Sequence, residues 1–305
     1  AAAAASANLF ASVKIHPDDT DVLDAFHLDS DHIAVLPAQC TTLMQNTYFT
    51  ADRERRKAEC LAQSDAITPD QIPDVDCGLY HLAGLLYGDF PNELIPALSK
   101  KGKVSADIQG FLRHNENGLM NFHDWKDKLT YLPYFDFLKT DAAEAEILTG
   151  LTDRRAAAKQ LYEWGAKEIL ISHNSEMLVY DGKDYYTCPV KARNLSGRTG
   201  RGDTTFGAYL AKRMMGVSIP DALLFRSRFA QNGNPRSAAG SRTGCPRLYQ
   251  GILRLSPSGT ASAPGTYLIF FPPSAVILVF PRQIRYYILI KTTMGRKRHL
   301  CDSTL

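Results

Sequence analysis

Short runs of strand-forming residues alternate with segments of helical periodicity over residues 8–190 of this 305-residue chain. This alternation is typical of a mostly parallel sheet whose faces are covered by helices. The helical segments end in glycine, which tolerates the left-handed backbone that often follows a helix. The predicted strands are residues 9–15, 78–84, 103–109, 134–140 and 168–173, and the clearest helical segments are residues 90–102 and 153–165. The pattern therefore predicts an α/β fold.

Two further pairs of strand-like runs predict β-hairpins. "HIAVLPAQ" is followed by "TTLMQNTYF" within residues 32–49, and "EMLVYDG" is followed by "DYYTCPV" within residues 176–190. A short turn between two extended runs is the usual signal of a hairpin. We expect the first hairpin to form a small lid over one edge of the sheet.

The distribution of charge divides the chain. Up to Phe225 it holds 31 acidic and 23 basic residues, whereas from Arg226 onward it holds 12 basic residues and one acid. The basic residues of this tail are not organised on one face, so they do not indicate a nucleic-acid surface. The apolar run at residues 266–280 is interrupted by two prolines and is shorter than the roughly 20 residues that a membrane helix needs. We therefore expect neither nucleic acid nor membrane as a partner.

The six cysteines are scattered along the chain without a C-x-x-C pair. This spacing indicates neither a zinc site nor a disulfide framework. The apolar N-terminus has no basic segment in front of it, as a secretory signal would require. Both observations favour a cytoplasmic location with reduced thiols.

The stretch "NLSGRTGRGDTTFGAYLAKR", residues 194–213, places Gly200, Gly202 and Asp203 at the entrance of an amphipathic helix. A helix N-terminus exposes backbone N–H groups and a partial positive charge, and glycines before it allow the backbone to approach an anion. A carboxylate would repel phosphate, but it can accept the proton of a hydroxyl group that attacks phosphorus. The alternative is structural, with Asp203 as an acid favoured by the helix dipole and the glycines as a turn.

Four segments in the same order resemble the ribokinase-like (PfkB) carbohydrate kinases. The segment "TGRGDTTFGAYLA" resembles the C-terminal signature of that family, and the others are "VSADIQGFLR", "FDFLKTDAAEAEILTGL" and "GAKEILISHNSEMLVYDG". Together they cover roughly residues 13–225. The resemblance implies a three-layer ribokinase-like α/β sandwich with a mostly parallel central sheet and a small β lid. It also implies transfer of the γ-phosphoryl group of Mg-ATP to a hydroxyl group of a sugar or nucleoside.

The resemblance implies roles for the residues around the glycine motif. Asp203 would be the general base, and the backbone of Gly200, Arg201 and Gly202 would form the anion hole for the transferred phosphoryl group. Glu144 would act on Mg²⁺ through a bound water. The structural alternative for Glu144 is an acid favoured by the N-terminus of its helix.

The resemblance also implies a nucleotide side of the site. Ser172, Asn174 and Thr199 would lie by the ATP phosphates or ribose, and Asp141 would lie beside the magnesium site. The alternative for residues 172–177 is an ordinary hairpin turn.

Several positions depart from the family pattern. Asp141 replaces an Asn, Asn174 and Met177 replace glycines, and Arg201 stands where a small residue is common. Asparagine tolerates a positive φ, but methionine does not adopt one readily. The guanidinium of Arg201 either adds charge to the anion hole or points to solvent. These departures indicate a subfamily with a modified ATP site.

Both ends of the chain differ from the family pattern. Residues 1–225 match a kinase core that is N-terminally truncated and lacks the family's first strand, which would leave sheet edges open. Beyond Phe225, reading the codons one base later permits a family-like C-terminus, so we expect a frameshift and a poorly ordered basic tail over residues 226–305. A catalytically dead fragment or nucleotide-binding pseudoenzyme of the same family is the alternative, and an unrelated anion-binding α/β protein is another. A homodimer through the lid would also fit the family.

Overall fold

The computed structural model describes residues 9–26, 28–48, 56–190, 201–232, 265–269 and 275–281. The strands are β1 (Phe10–Ile15), β2 (Ile33–Pro37), β3 (Leu43–Tyr48), β4 (Arg56–Ala62), β5 (Cys77–Gly84), β6 (Lys103–Asp107), β7 (Arg113–Glu116), β8 (Leu119–Phe122), β9 (Phe137–Asp141), β10 (Ile169–Ser172), β11 (Glu176–Tyr180), β12 (Tyr185–Pro189), β13 (Gly265–Ile269) and β14 (Ala275–Pro281). The α-helices are α1 (Leu94–Ser99), α2 (Gln109–Leu112), α3 (Lys128–Tyr131), α4 (Ala142–Thr149), α5 (Arg154–Glu163), α6 (Arg201–Met214) and α7 (Ile219–Asn232). Short 3₁₀ helices cover Pro17–Phe26, Ser30–His32, Pro69–Gln71 and Leu132–Tyr134.

The central sheet has nine strands in the order β12-β11-β10-β9-β6-β5-β14-β1-β2. Strands β5, β6, β9 and β10 are parallel neighbours, and β1 is parallel to β2. All nine strands except β11 and β14 run in one direction. The predicted mostly parallel sheet is therefore confirmed, and the carboxyl ends of β6, β9 and β10 meet at one edge.

Helices cover both faces of this sheet. Successive side chains of a strand point to opposite faces, and β10 shows the consequence. Ile169 and Ile171 are buried in one core cluster with residues of α1, α4 and α5, whereas Leu170 is buried in a second cluster with residues of α6 and α7. The predicted three-layer sandwich is confirmed by this division.

A second sheet has five strands in the order β13-β3-β4-β8-β7 and forms the β lid. The segment 32–49 does not form the hairpin that its sequence predicted, because β2 pairs with β1 and β3 pairs with β4. The amide of Ala38 donates to the carbonyl of Ile15 at 2.9 Å and so continues the β1–β2 pairing, after which the chain crosses to the lid. The second predicted hairpin is present as β11 and β12.

The described parts of the tail contribute a strand to each sheet. β14 lies between β1 and β5 and is antiparallel to both. β13 pairs with β3 in the lid, and α7 continues past Phe225 to Asn232. The other residues of the tail, for which the sequence predicted a frameshift and poor order, lie outside the described residues. No helix within the described ranges is long and apolar enough to cross a membrane.

Candidate active site

A buried ion pair lies at the carboxyl edge of the central sheet. Asp107 is the last residue of β6, and it is the register partner of Lys139 on the neighbouring strand β9. The ammonium of Lys139 donates a hydrogen bond to Oδ2 of Asp107, and both residues are at most 5% exposed. Buried charges of this kind are retained only when they are paired. The pair therefore fixes one positive and one negative charge where two parallel strands end.

The helix α4 begins beside this pair with a capping box. Asp141 accepts from the amide of Glu144 at 2.8 Å, and the Glu144 carboxylate accepts from the amide of Asp141 at 2.8 Å. Each side chain thus satisfies an amide that the helix leaves unpaired. Aspartate caps a helix as well as asparagine does, which explains why Asp141 can replace the Asn of the family pattern.

Glu144 is 4% exposed and lies among charges. Burial and the nearby Asp107 raise its pKa to about 7, although Lys139 and the Asp141 amide oppose this shift. Carboxylate oxygens suit Mg²⁺, which usually keeps several of its own waters and binds few protein ligands. Among the described residues no group of three or more His, Cys, Asp or Glu side chains is arranged to hold a metal. The arrangement fits a water-mediated contact from Glu144 and does not form a protein cage.

The first turn of α6 carries the motif residues that the structure describes. Arg201, Gly202 and Asp203 open the helix, whereas Thr199 and Gly200 lie outside the described residues. A Cβ atom placed on Gly202 would lie 3.1 Å from Nζ of Lys139. The α6 backbone therefore packs against the buried ammonium, and a larger residue at position 202 would push into it.

Asp203 is open to solvent on one side and faces protein charges on the other. Its nearest negative charge is that of Asp107. Desolvation by the surrounding protein and the negative charge of Asp107 raise the pKa of Asp203, while Lys139 and then Arg113 lower it. The predicted base is thus brought to the Lys139–Asp107 pair, and its ionisation depends on the balance of charge there.

A layer of side chains supports the site from behind. His81 on β5 is 4% exposed, and its Nδ1 lies 3.0 Å from the Ser105 hydroxyl. Its ring meets the edge of Phe206 on α6 at 5.3 Å between centroids. Burial lowers the pKa of His81 to about 4, so this imidazole is neutral near pH 7. These contacts link α6 to β5 and to β6, the strand that ends in Asp107.

The residues predicted for the nucleotide side lie on the neighbouring strand. Ser172 ends β10 and is the register partner of Asp141, and its hydroxyl lies 3.3 Å from the Thr140 carbonyl. Asn174 is exposed in the turn that follows, where Nδ1 of His173 lies 2.8 Å from Oγ of Ser175. Among the described non-glycine residues only Asn117 has a positive φ. The substitution of glycines by Asn174 and Met177 therefore introduces no backbone strain.

The sequence interpretation overlooked the two residues at the centre of this site, Asp107 and Lys139. A charged residue within an otherwise apolar strand was the available signal, in "KVSAD" and in "FLKTD". Charged residues are seldom fully buried unless they are paired. Two such strands in parallel could therefore have pointed to a buried ion pair.

Comparison with known proteins agrees with this fold. Residues 24–232 match the pfkB family of carbohydrate kinases. A pyrophosphate-dependent kinase in the ribokinase family, solved with a pyrophosphate analogue and myo-inositol, is 34% identical, covers 71% of this chain and 77% of its own, and superposes with a TM-score of 0.63. The ribokinase of Arabidopsis thaliana, solved with ribose and ATP, is 15% identical, with 76% and 78% covered and a TM-score of 0.55, and so supports the fold alone.

A curated relative matches over a shorter segment. The cytidine kinase of Thermococcus kodakarensis is 38% identical over 83 residues, which are 26% of this chain and 30% of that protein. The α/β sandwich and its β lid are those of the ribokinase fold. The chain belongs to the pfkB family of carbohydrate kinases.

Proposed function

We propose that this protein transfers a phosphoryl group from ATP to a hydroxyl group of a sugar or nucleoside, with Asp203 as the general base. The observation that carries the proposal is the position of Asp203, in the first turn of α6 and beside the buried Lys139–Asp107 pair. A carboxylate that is open to solvent on one side can meet an incoming hydroxyl group. The same helix end directs backbone amides and a partial positive charge toward an anion.

The proposed reaction needs one proton transfer and one displacement at phosphorus. Asp203 accepts the proton of the acceptor hydroxyl group while the oxygen of that hydroxyl group bonds to the γ-phosphorus. The bond between the γ-phosphorus and the bridging oxygen breaks, and ADP is released. The backbone of Gly200, Arg201 and Gly202 holds the transferred group in an anion hole. Mg²⁺, when bound, neutralises charge on the donor phosphates, and Glu144 would hold it through water.

The donor would lie along the edge formed by β9 and β10. Ser172 and Asp141 are register partners there, and Asn174 is in the turn that follows. We propose that Ser172, Asn174 and Thr199 contact the donor phosphates or ribose. Their small polar side chains suit hydrogen bonds to phosphate and hydroxyl oxygens.

Pyrophosphate is a second candidate donor. The pyrophosphate-dependent kinase is 34% identical to this chain, whereas the ribokinase solved with ATP is 15% identical. With pyrophosphate, the same proton transfer to Asp203 would accompany release of orthophosphate in place of ADP. The same relative binds myo-inositol, so a cyclic polyol joins sugars and nucleosides as a class of acceptor to be tested.

The experiment is a matrix of donors and acceptors with mass-spectrometric detection of the phosphorylated product. ATP and pyrophosphate are each combined with ribose, cytidine and myo-inositol in the presence of Mg²⁺. We expect product with at least one pair, and a loss of about 10³-fold or more in kcat for Asp203→Asn. The matched control is Asp221→Asn, because Asp221 is an exposed acid in the first turn of the adjacent helix α7.

Three results would contradict the proposal. Turnover that survives in folded Asp203→Asn excludes Asp203 as the base. Saturable binding of a donor without product across the whole matrix favours the pseudoenzyme alternative, and no binding of either donor favours a catalytically dead fragment. The homodimer through the lid and the cytoplasmic location stay predictions.

A further inference from the structure

Lys139 lies at the centre of a group of carboxylates from three different elements. Its ammonium forms an ion pair with Asp107 of β6 and interacts electrostatically with Glu144 of α4 and Asp203 of α6. The residue is 5% exposed. Burial alone would lower the pKa of a lysine, but the three carboxylates raise the pKa of Lys139 above its ordinary value. The site therefore keeps a permanent positive charge inside the protein.

Asp203 needs that charge because it is next to another acid. The negative charge of Asp107 lies close enough to raise the pKa of Asp203, and Asp107 itself is held by the ammonium of Lys139. A nearby negative charge disfavours the ionised form of a carboxyl group. A protonated Asp203 could not accept the proton of a hydroxyl group. A cation held against this pair removes that obstacle.

The geometry assigns the cation to Lys139. It contacts Asp107 directly, and it lies against Gly202, the residue immediately before Asp203. Arg113 of β7 also lowers the pKa of Asp203, but its effect ranks below that of Lys139. Among the described residues, the other titratable groups that interact with the Lys139–Asp107 pair are Glu144, whose own pKa is raised to about 7, and His81, which is neutral near pH 7.

We propose that Lys139 is a positioning residue for the general base: through its ion pair with Asp107 and its contact with Gly202, it holds Asp203 ionised and aimed at the acceptor. This inference rests on the proposed function of Asp203 as base. It assigns Lys139 no contact with the substrate. Because Lys139 acts by its charge, removal of the charge and removal of the neighbouring acid must have opposite effects.

The test compares three variants. Lys139→Met removes the positive charge at similar length, Lys139→Arg retains it, and Asp107→Asn removes the negative charge that raises the pKa of Asp203. We expect the acidic limb of the kcat/KM profile to move to higher pH by about one unit or more in Lys139→Met and to lower pH in Asp107→Asn. Lys139→Arg should keep the limb near its native position. A lysine with only a structural role would change stability without moving the limb in opposite directions.

A readout without turnover separates this inference from the proposed function. The side-chain carboxyl carbons of aspartate are labelled with carbon-13, the Asp203 signal is assigned by its absence in Asp203→Asn, and its titration is followed by NMR in each variant. The expected shifts have the same signs as those of the kinetic limb. Shifts of these signs in a chain that phosphorylates nothing would sustain the role of Lys139 in ionising Asp203 and refute the catalytic proposal.

Other outcomes overturn the inference. An active enzyme whose limb and Asp203 titration stay in place in Lys139→Met excludes the role of Lys139. Lys139→Met leaves Asp107 buried without its partner, a change that often costs about 3–5 kcal/mol and can prevent folding. In that event Asp107→Asn decides alone, because a limb or titration that fails to move to lower pH in this variant contradicts the charge balance on which the inference depends.

Discussion

Gly110 and Gly84 approach each other closely, and the sign of the stability change on adding a methyl group at position 110 tests how tightly they pack. Gly110 lies in α2, just after Asp107, and Gly84 ends β5. A Cβ atom on Gly110 would lie 2.7 Å from Cα and 2.9 Å from the carbonyl carbon of Gly84. These are backbone atoms in a packed sheet, so they cannot rotate away as a flexible side chain could. The backbone of α2 must move if position 110 carries a methyl group.

The expected magnitude for Gly110→Ala follows from two opposing effects. Alanine is the better helix former by up to about 1 kcal/mol, so the substitution would stabilise the protein if space were available. Insertion of a methyl group into a packed contact costs about 1–3 kcal/mol. Because the distances are far below van der Waals contact, we expect the clash to exceed the gain and the net free energy of unfolding to fall by about 1–2 kcal/mol.

The assay is urea unfolding followed by circular dichroism, with kcat/KM measured on the same preparations. Gly150→Ala is the control, since Gly150 has nothing within 4 Å of its Cβ position and a φ of 74°. That variant should lose about 1 kcal/mol through backbone strain alone and keep its activity. Gly110→Ala should lose activity as well. The backbone N–H of Gln109, the residue before Gly110, donates to Oδ1 of Asp107 at 3.3 Å, so a shift of α2 would also disturb Asp107. A Gly110→Ala protein as stable as the native one would refute the packing argument.

Three further changes test other parts of the molecule. Burial raises the pKa of Asp89 to about 7, so the native state keeps a proton that the unfolded chain loses between about pH 4 and 7. Stability should therefore fall over that window by on the order of 4 kcal/mol. Asp89→Asn should abolish this part of the pH dependence in urea titrations. Glu168→Gln weakens the bidentate contact from Arg213, at 2.8 and 3.1 Å, and should lower the free energy of unfolding by about 1–3 kcal/mol, whereas an unchanged Tm would show that the pair is screened by solvent. If the protein dimerises through its lid, Leu61→Lys and Leu119→Lys should yield a monomer in sedimentation velocity, since both side chains are exposed on that sheet; a dimer that persists would place the interface elsewhere.

The sequence predicted the layers of the fold because burial imposes periodicity on each element separately. The parallel strands β1, β5, β6, β9 and β10 coincide with the five predicted runs. The pairing of the first 50 residues was harder, because it depends on partners distant in sequence. β3 pairs with β4. The start of β4 belongs to a highly charged segment, which does not have the pattern of a strand. Local patterns report burial, but they do not report which strand lies alongside.

The site shows the same limit at the level of single residues. Asp203 was predicted from the glycine motif at a helix entrance, which is recognisable in a linear sequence, and Glu144 from the resemblance of its segment to the family pattern. Asp107 and Lys139 are on adjacent strands, 32 positions apart. Their relation exists only after β6 and β9 have paired in the observed register. Motif reasoning therefore found the groups on helices and missed the ion pair on strands.

The buried charges at the sheet edge are difficult to explain by stability alone. An ion pair in an apolar interior is often no better than two well-packed apolar side chains, because desolvation offsets the Coulomb attraction. Here the cost is larger, since Glu144 and Asp203 add two acids around one lysine. A fold that needed only to close its sheet could place apolar residues at positions 107 and 139, as it does at neighbouring positions such as Ala106 and Leu138. Replacement of the pair by Asp107→Asn together with Lys139→Met should therefore cost little stability while it changes the ionisation of Asp203, whereas a large loss of stability would show that the pair serves the fold.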